Sequence, residues 1–474
     1  MSLVEFNPFQ KKFRKGEKRV ALVYPNRYVG GISNFGMQLI YARINEFAHC
    51  ERFYSDVFDG LRSVESGSSL SDFEIALFSL QYETEYFKAI EIIKRSNFRG
   101  LKIAGGPCVM ENPKPLTKFF DAFFIGEVED RIEEIVNARS VEELREIEGI
   151  FTGKEERVKR VFCKLGKHLE EEIIGEGAYG RSFLLEIGRG CIRRCSFCLV
   201  RQIYFPPRWR KIEDLPEIRI ARKVAIIAPS PADHPNFKEI IQNLVERNFE
   251  ISLSSLRADT IEEDMVEILR NSKVRTLTLA PETASPLLSE FLKKDVSFED
   301  LKRAAEISAK AFEKLKLYYM IGIPGESEED VKRIVEHAAY LKKFIPRVEI
   351  SVNPLVPKPH TPLQWLPFAD LKELERKISI IEKEARKHGI EFSPPNLKEF
   401  VIQTILARGD ERVSEILSGR SYRDFYDFLK GFELDSPLPW DFIDHGYRKS
   451  RLKREFIKLI ELLDKPYKPT EHTA

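Results

Sequence analysis

The feature that most limits what this chain can fold into is a rhythm: apolar runs of roughly four to eight residues recur along two long stretches, each followed by a helical pattern. In the first stretch, residues 19–24 (RVALVY) form such a run, which stops at Pro25, and a Gly30-Gly31 turn leads into an amphipathic pattern over 37–47. Further strands are expected at 53–58, 73–80, 101–107 and 122–126, with helices over about 85–96 and from 129 onward. Strands that are apolar throughout and alternate with helices build a parallel sheet covered on both faces. Ligands of such sheets bind beyond the carboxyl ends of the strands, which is where Gly30, Gly31, Gly105, Gly106 and Gly126 would gather. The plainer reading of these glycines is as tight turns.

The same rhythm returns after a charge-rich connection over 135–180, in which a small hairpin is expected around 149–162. Strands are expected at 183–187, 224–230, 250–259, 276–282, 316–327 and 348–353. These strand-helix units occupy roughly 180 residues, against roughly 250 for a complete eight-stranded TIM barrel, so an open, partial (β/α)6 barrel is expected. Beyond it the pattern is helical over 370–387, breaks at Pro394-Pro395, and resumes in two or three further helices to about 463. The expected class is α/β in three parts: a flavodoxin-like sheet with its linker over 1–160, a partial barrel over 178–368 and a helical carboxyl-terminal extension over 369–474.

Directly after the first barrel strand stand Cys191, Cys195 and Cys198, spaced Cys-x3-Cys-x2-Cys. Three thiolates can hold three irons of a four-iron four-sulfur (4Fe-4S) cluster and leave the fourth iron open to a substrate or cofactor. Zinc is one alternative, but a structural zinc site takes four protein ligands, usually as two separated pairs. No second pair exists, and neither Cys163 nor His168 has zinc-finger spacing. A merely buried trio is the other alternative.

Composition narrows the setting. The 76 basic and 75 acidic residues leave a net charge of +1, which argues neither for nor against nucleic acid. Charged residues reach 32%, above the roughly 25% of ordinary domains. Only seven glutamines and five methionines accompany them, which points to a hot-growing source. Six cysteines in so long a chain suit a reducing cytoplasm rather than a disulfide framework. With no secretory leader and no apolar run approaching 18 residues, a soluble cytoplasmic protein without a membrane partner is expected.

With this cysteine spacing, and with Phe197 before the third cysteine, residues 191–198 (CIRRCSFC) resemble the signature loop of the radical S-adenosylmethionine superfamily. The resemblance implies that the open iron is chelated by the amino and carboxylate groups of S-adenosylmethionine. It further implies one-electron cleavage to a 5'-deoxyadenosyl radical, fed by a reductant such as flavodoxin or ferredoxin. It carries over to loops at the strand ends. Ser230 stands where relatives hold the methionine amino group, although their usual Gly-Gly-Glu is absent. Ser254-Ser255-Leu256-Arg257 resembles the segment of methylthiotransferase-like relatives that reaches the ribose and the methionine carboxylate. Arg257 suits a carboxylate because a guanidinium binds one bidentately, with a structural ion pair as the plainer reading. Glu282 is the expected partner of the ribose hydroxyls or the amino group. Gly322 and Pro324 match a Gly-x-Pro-Gly-Glu passage lying along the adenine, and Val356 opens a proline-rich loop that closes the barrel in those relatives. His234 and His360 fall on loops at the same mouth, as candidates for an acid, base or substrate contact or as plain loop residues.

The resemblance runs further. Residues 24–36, 78–83, 103–108, 356–362 and 406–410 are similar to a family of uncharacterised radical S-adenosylmethionine proteins with a cobalamin-binding-like amino-terminal domain and a methylthiotransferase-like core. It covers nearly the whole chain and leaves the substrate unassigned, with methylation or another radical modification implied. Base-off cobalamin domains use an Asp-x-His-x-x-Gly histidine, and the loop over 24–31 has no histidine. Histidine ligation is excluded there, while cobalamin bound without that ligand stays open. Methylthiotransferases carry a second cluster on three amino-terminal cysteines, whereas Cys50, Cys108 and Cys163 are widely spaced and are not expected to converge.

Near the cluster loop, Arg193, Arg194, Arg201, Arg208, Arg210 and Lys211 interleave with Tyr204, Phe205 and Trp209, and residues 448–454 form a second basic stripe. Such sets can grip RNA through phosphates and base stacking, against the plainer reading of a solvated face. The competing functional class is a non-catalytic iron-sulfur or corrinoid-binding protein used for sensing or electron transfer. Such a carrier would have no need of Arg257 or Glu282 at the barrel mouth.

Overall fold

The computed structural model describes residues 4–464. Five strands, β1 (Arg19–Tyr24), β2 (His49–Tyr54), β3 (Ile75–Ser79), β4 (Leu101–Gly105) and β5 (Ala122–Phe124), form a parallel sheet in the order 2-1-3-4-5. β6 (Ile150–Phe151) closes its edge antiparallel to β5. β1 therefore lies between β2 and β3, which creates the switch point where doubly wound sheets open a crevice. Both faces are covered, as the all-apolar strands demand: Val20, Leu22 and Tyr24 enter one buried cluster, while Ala21 and Val23 enter another on the opposite face.

β2 lies about four residues earlier than its apolar content suggests. Its His49, Glu51 and Arg52 are polar or charged, yet all are buried in pairs, His49 with Glu51 at 2.8 Å and Arg52 with Glu65 at 2.6 Å. The hairpin expected around 149–162 does not form. Val158–Lys159 pairs instead with Ile443–Asp444, nearly three hundred residues away in the chain.

The second sheet contains β7 (Ser182–Glu186), β8 (Lys223–Ile227), β9 (Glu250–Leu253), β10 (Thr276–Glu282), β11 (Lys314–Ile321) and β12 (Arg347–Pro354). All are parallel and sit in chain order as two ladders, joined by a single bridge from Leu256 to Leu279. Parallel strands in sequential order with helical crossovers are the winding of a β/α barrel. Two of the crossover helices, Phe298–Ser308 and Glu328–Leu341, start at capping boxes, Ser297 with Asp300 and Ser327 with Asp330. The helix Leu371–His388 then returns the chain to pair β13 (Glu391–Phe392) with β12, so the first part of the carboxyl-terminal extension continues the strand-helix series.

One apolar cluster runs without a break from the Ala21 face of the amino-terminal sheet, under the helix Leu397–Arg408, into the barrel sheet. Across this contact Asn112 donates to the carbonyls of Ala407 (3.0 Å) and Gly409 (2.8 Å). No helix of the described residues is long and apolar enough to cross a membrane.

Candidate active site

The cysteine loop is pinched at its base, where Gly188–Arg189 pairs antiparallel with Arg208–Trp209. Ser196 pins it to the helix Pro286–Leu292, its amide donating to the Leu292 carbonyl at 2.9 Å and its hydroxyl to the Phe291 carbonyl at 3.0 Å. Phe197 packs in one apolar cluster with Met320, Ile323 and Leu355, so the loop meets the ends of β11 and β12. Cys195 is buried and Cys191 and Cys198 are half-buried, all three as free thiols. Burial pushes each thiol up, Cys198 to about 11, and the three sit close enough for each charge to be felt by another. Arg193, through its amide and its charge, and then Arg257 oppose the rise at Cys191, and Lys294 followed by Arg257 opposes it at Cys195.

Around the loop lies a ring of ion pairs. Arg257 is buried, and its guanidinium is engaged by Asp259 (2.9 and 3.0 Å) and by the Lys294 carbonyl (2.7 Å). The residue expected to clamp a methionine carboxylate is therefore held in the structural pair that was its plainer reading. Glu282 stands at the end of β10 with φ of +70°, strained for a residue with a side chain, and burial raises its pKa. Lys294 sits 3.1 Å from its carboxylate. Arg193 of the cysteine loop pairs with Asp233, whose amide donates to the Ser230 carbonyl at 3.1 Å. Ser255 is half-buried between β9 and the bridge at Leu256, and the Oγ of its neighbour Ser254 is buried with no partner among the described residues.

The remaining expected residues are placed otherwise. The Gly322 amide donates to Glu326 Oε2 at 2.8 Å, and Glu326 forms a buried ion pair with Lys377 at 2.9 Å, so the Gly322–Pro324 turn is stapled from below. Val356 packs against the main apolar cluster. His234 is buried with both ring nitrogens occupied, Nδ1 accepting from the Asn236 amide and Nε2 donating to the Arg210 carbonyl, each at 3.0 Å. His360 donates to the Glu111 carbonyl at 2.9 Å, and burial lowers its pKa to about 3. Both rings are buried and hydrogen-bonded within the protein. Lys294, Asp233, Asp259 and Ser196 were not singled out in sequence, and only Asp259, two residues after Arg257, had a local signal.

Beside the loop opens a cavity of about 700 Å³ between the carboxyl edges of the two sheets. Gly30, Gly105, Gly106 and Gly126 line it from the amino-terminal sheet, and Glu186, Arg189 and Tyr204 from the barrel side. Gly31 does not reach it, being packed against Tyr24 and Tyr54. At Gly106 (φ +103°) and Gly126 (φ +137°) a Cβ would collide with the backbone of Leu80 and Val161, so glycine is required there by the tight packing of the chain, while Gly105 faces open space. Among the described residues no histidine lines this cavity. Its charged floor is compensated: Glu127 is gripped by Arg208 at 2.7 and 2.8 Å and by the Cys163 amide at 2.8 Å. Cys50, Cys108 and Cys163 lie buried in three unrelated surroundings and do not converge.

Residues 185–338 match the family model described as the radical SAM superfamily, and residues 36–161 match that of radical SAM proteins, N-terminal. The chain belongs to the radical SAM superfamily. Uncharacterized protein MJ0966 of Methanocaldococcus jannaschii is 41% identical over 84% of this chain and 90% of its own length. The ribosomal protein uS12 methylthiotransferase RimO of Petrotoga mobilis is 22% identical over 51% of this chain and 58% of that protein. Among solved structures, the radical S-adenosylmethionine methyltransferase TsrM from Kitasatospora setae, with tryptophan and a SAM analog bound, superposes with a TM-score of 0.57 at 14% identity, covering 76% of each chain. A second structure of that enzyme carries cobalamin and a [4Fe-4S] cluster, with a TM-score of 0.54 at 14% identity over 76% of this chain and 75% of that one. The shared fold is thus a parallel amino-terminal sheet followed by a parallel-sheet radical SAM core.

Among the described residues no group of three His, Cys, Asp or Glu side chains converges to hold a single metal ion. A four-iron cluster makes a different demand, one iron per thiolate, and three free thiols on one pinned loop suit it.

Proposed function

We propose that Cys191, Cys195 and Cys198 hold a 4Fe-4S cluster that reductively cleaves S-adenosylmethionine, and that the adjoining cavity takes a corrinoid, with the radical or the corrinoid modifying a substrate still to be named. When bound, the cluster supplies one electron to the sulfonium, releasing methionine and a 5'-deoxyadenosyl radical. The observation that carries the reading is the position of the thiol loop: it closes over the barrel strand ends, and its residues Val200 and Tyr204 also line the cavity.

The chain's own residues supply polarity and dryness. Arg257 and Lys294 face the thiols and favour their ionised form, while Asp259, Glu282 and the Lys294 carbonyl keep these cations in place. Glu282 and Ser255 stand at the ends of successive strands, and the unpartnered Ser254 hydroxyl offers a buried hydrogen bond to a bound ligand. Phe197 and its apolar cluster keep water from the loop on the β11–β12 side. In the cavity, Gly105 leaves open space beside the strand end, which permits close approach of a large flat ligand.

The test is anaerobic reconstitution followed by dithionite and S-adenosylmethionine. Wild type is expected to form 5'-deoxyadenosine, whereas Cys191→Ala gives only background and retains less iron. Equal product from the two proteins, with the cluster spectroscopically present in wild type, overturns the reading. Gel filtration after incubation with hydroxocobalamin checks the cavity, where loss of the corrinoid spectrum from the protein peak removes that part.

A further inference from the structure

The basic residues near the cysteine loop separate into two sets. Arg193, Arg208 and Arg210 are engaged by the carboxylates of Asp233, Glu127 and Glu186. Arg194 and Arg201 have no carboxylate within ion-pair distance among the described residues; Arg201 donates instead to the Arg193 carbonyl at 2.8 Å. The helix Lys449–Leu463 brings more positive charge to the same place. Its Arg451 donates to Gln202 Oε1 at 3.3 Å, and Arg448 at the N-cap and Arg454 one turn further on are exposed and likewise unpaired among the described residues. Burial, then the neighbouring Arg451, pull the pKa of Arg201 down, with Glu455 of the same helix opposing and Arg194 adding to the fall.

Two apolar tips stand within this rim. Ile192, between Cys191 and Arg193, is 47% exposed, and Phe205 is 42% exposed. The Phe205 ring lies 5.8 Å from the Arg201 guanidinium, and its carbonyl is held by Arg160 at 2.5 Å, so the ring is presented rather than loose. Guanidinium groups around exposed apolar tips are the composition of a protein interface rather than of an idle solvated face.

The reading of the cysteines proposed above needs one electron from outside for each cleavage. Among the described residues the chain has no relay, since its other three cysteines lie apart and buried. The electron has to arrive at the cysteine loop itself, whose exposed edge is Ile192 and Arg194.

We propose that Arg194, Arg201, Arg448, Arg451 and Arg454, with Ile192 and Phe205, form the docking face for a small acidic one-electron carrier protein. The reduced carrier gives up one electron and the oxidised cluster takes it; no bond forms or breaks and no proton moves. Opposite charge steers the encounter and the apolar tips hold the short-lived complex.

The experiment uses the full chain, cluster-loaded and cluster-free, with an acidic flavodoxin as probe, and reads binding by anisotropy, cluster reduction by absorbance and 5'-deoxyadenosine formation. For wild type, binding is expected to weaken steeply with added salt. In the charge-reversed variant Arg194→Glu/Arg451→Glu/Arg454→Glu, binding and flavodoxin-driven reduction are expected to fall on the order of tenfold or more, while dithionite-driven cleavage is kept. Phe205→Ala alone, which leaves every charge in place, is expected to speed carrier release. A salt-independent wild-type affinity, or unchanged flavodoxin binding by the charge-reversed variant, overturns the proposal. So does a variant that loses only binding of a single-stranded RNA oligomer, which would assign the rim to an anionic polymer. Because binding and cluster reduction are read without S-adenosylmethionine, failure of this proposal is distinct from failure of the cleavage reading.

Discussion

The two parallel sheets turn their carboxyl edges towards one another and finish them in opposite ways. The amino-terminal edge is bare backbone at Gly105, Gly106 and Gly126, and it leaves a cavity of about 700 Å³. The barrel edge is filled with paired charge, Arg257 with Asp259, Lys294 with Glu282 and Arg193 with Asp233. A glycine edge leaves open space whose shape is set by backbone. A charged edge in a low-dielectric site imposes a polarity, which suits thiolates and the charged groups of a small polar ligand. One winding principle thus supports two kinds of site, and the side chains at the strand ends decide which.

The comparison breaks most visibly if the glycine edge is filled. A Cβ at Gly105 meets nothing nearer than the Phe124 carbonyl at 4.0 Å, so Gly105→Leu projects into the cavity without a clash. It is expected to abolish retention of hydroxocobalamin on gel filtration while changing unfolding stability by no more than about 1 kcal/mol and leaving dithionite-driven 5'-deoxyadenosine formation intact. Retained corrinoid in this variant would mean that the edge does not bind by shape.

A second prediction concerns what holds the two edges together. Lys358, from the loop after β12, reaches Glu83 and Glu111 beside the amino-terminal sheet, where burial and its neighbours keep Glu83 below and Glu111 well above the ordinary carboxylate range. The charge thus favours Glu83 over Glu111, whose Oε1 lacks a partner among the described residues. Glu83→Gln should lose up to about 3 kcal/mol in urea unfolding, the low end for a broken buried pair because Glu111 can ionise in its place. Glu111→Gln should stay within about 1 kcal/mol. Equal losses would show that the two carboxyls share the charge.

The smallest effect is a pH dependence at the same contact. His360 has its pKa lowered to about 3 by burial, against an ordinary 6.5, so as pH falls the unfolded chain takes up the proton first. Its contribution is fully present above about pH 6.5 and shrinks by about 1.4 kcal/mol per pH unit as pH falls towards 3. The stability advantage of wild type over His360→Gln should therefore narrow between pH 7 and pH 5 in about that proportion. A constant advantage over that range would place the ring in water.

Much of this was legible in the residues. The periodicity of 276–282 coincides with β10, the pattern over 85–96 coincides with the helix Glu85–Ser96, and four of the five expected glycines line the cavity. What was hidden shares one cause. β2 carries charges that become apolar-compatible only when Glu65 and residues further off neutralise them. Val158–Lys159 finds its partner at Ile443–Asp444, and Arg257 finds a carbonyl at Lys294 as well as its near neighbour Asp259. His360 meets Glu111, 249 residues away.

By itself the sequence determined the alternation of strands and helices, the parallel sense of both sheets and the count of three clustered thiols. Each is a local property, set by backbone geometry and spacing within a few residues. Only the tertiary structure decided that Arg257 is engaged, that His234 and His360 are buried and hydrogen-bonded, that the basic residues divide into paired and unpaired sets, and that the glycine edge stands open. Those outcomes depend on which distant group faces each charge and on how far water is excluded around it, and neither quantity is carried by spacing along the chain.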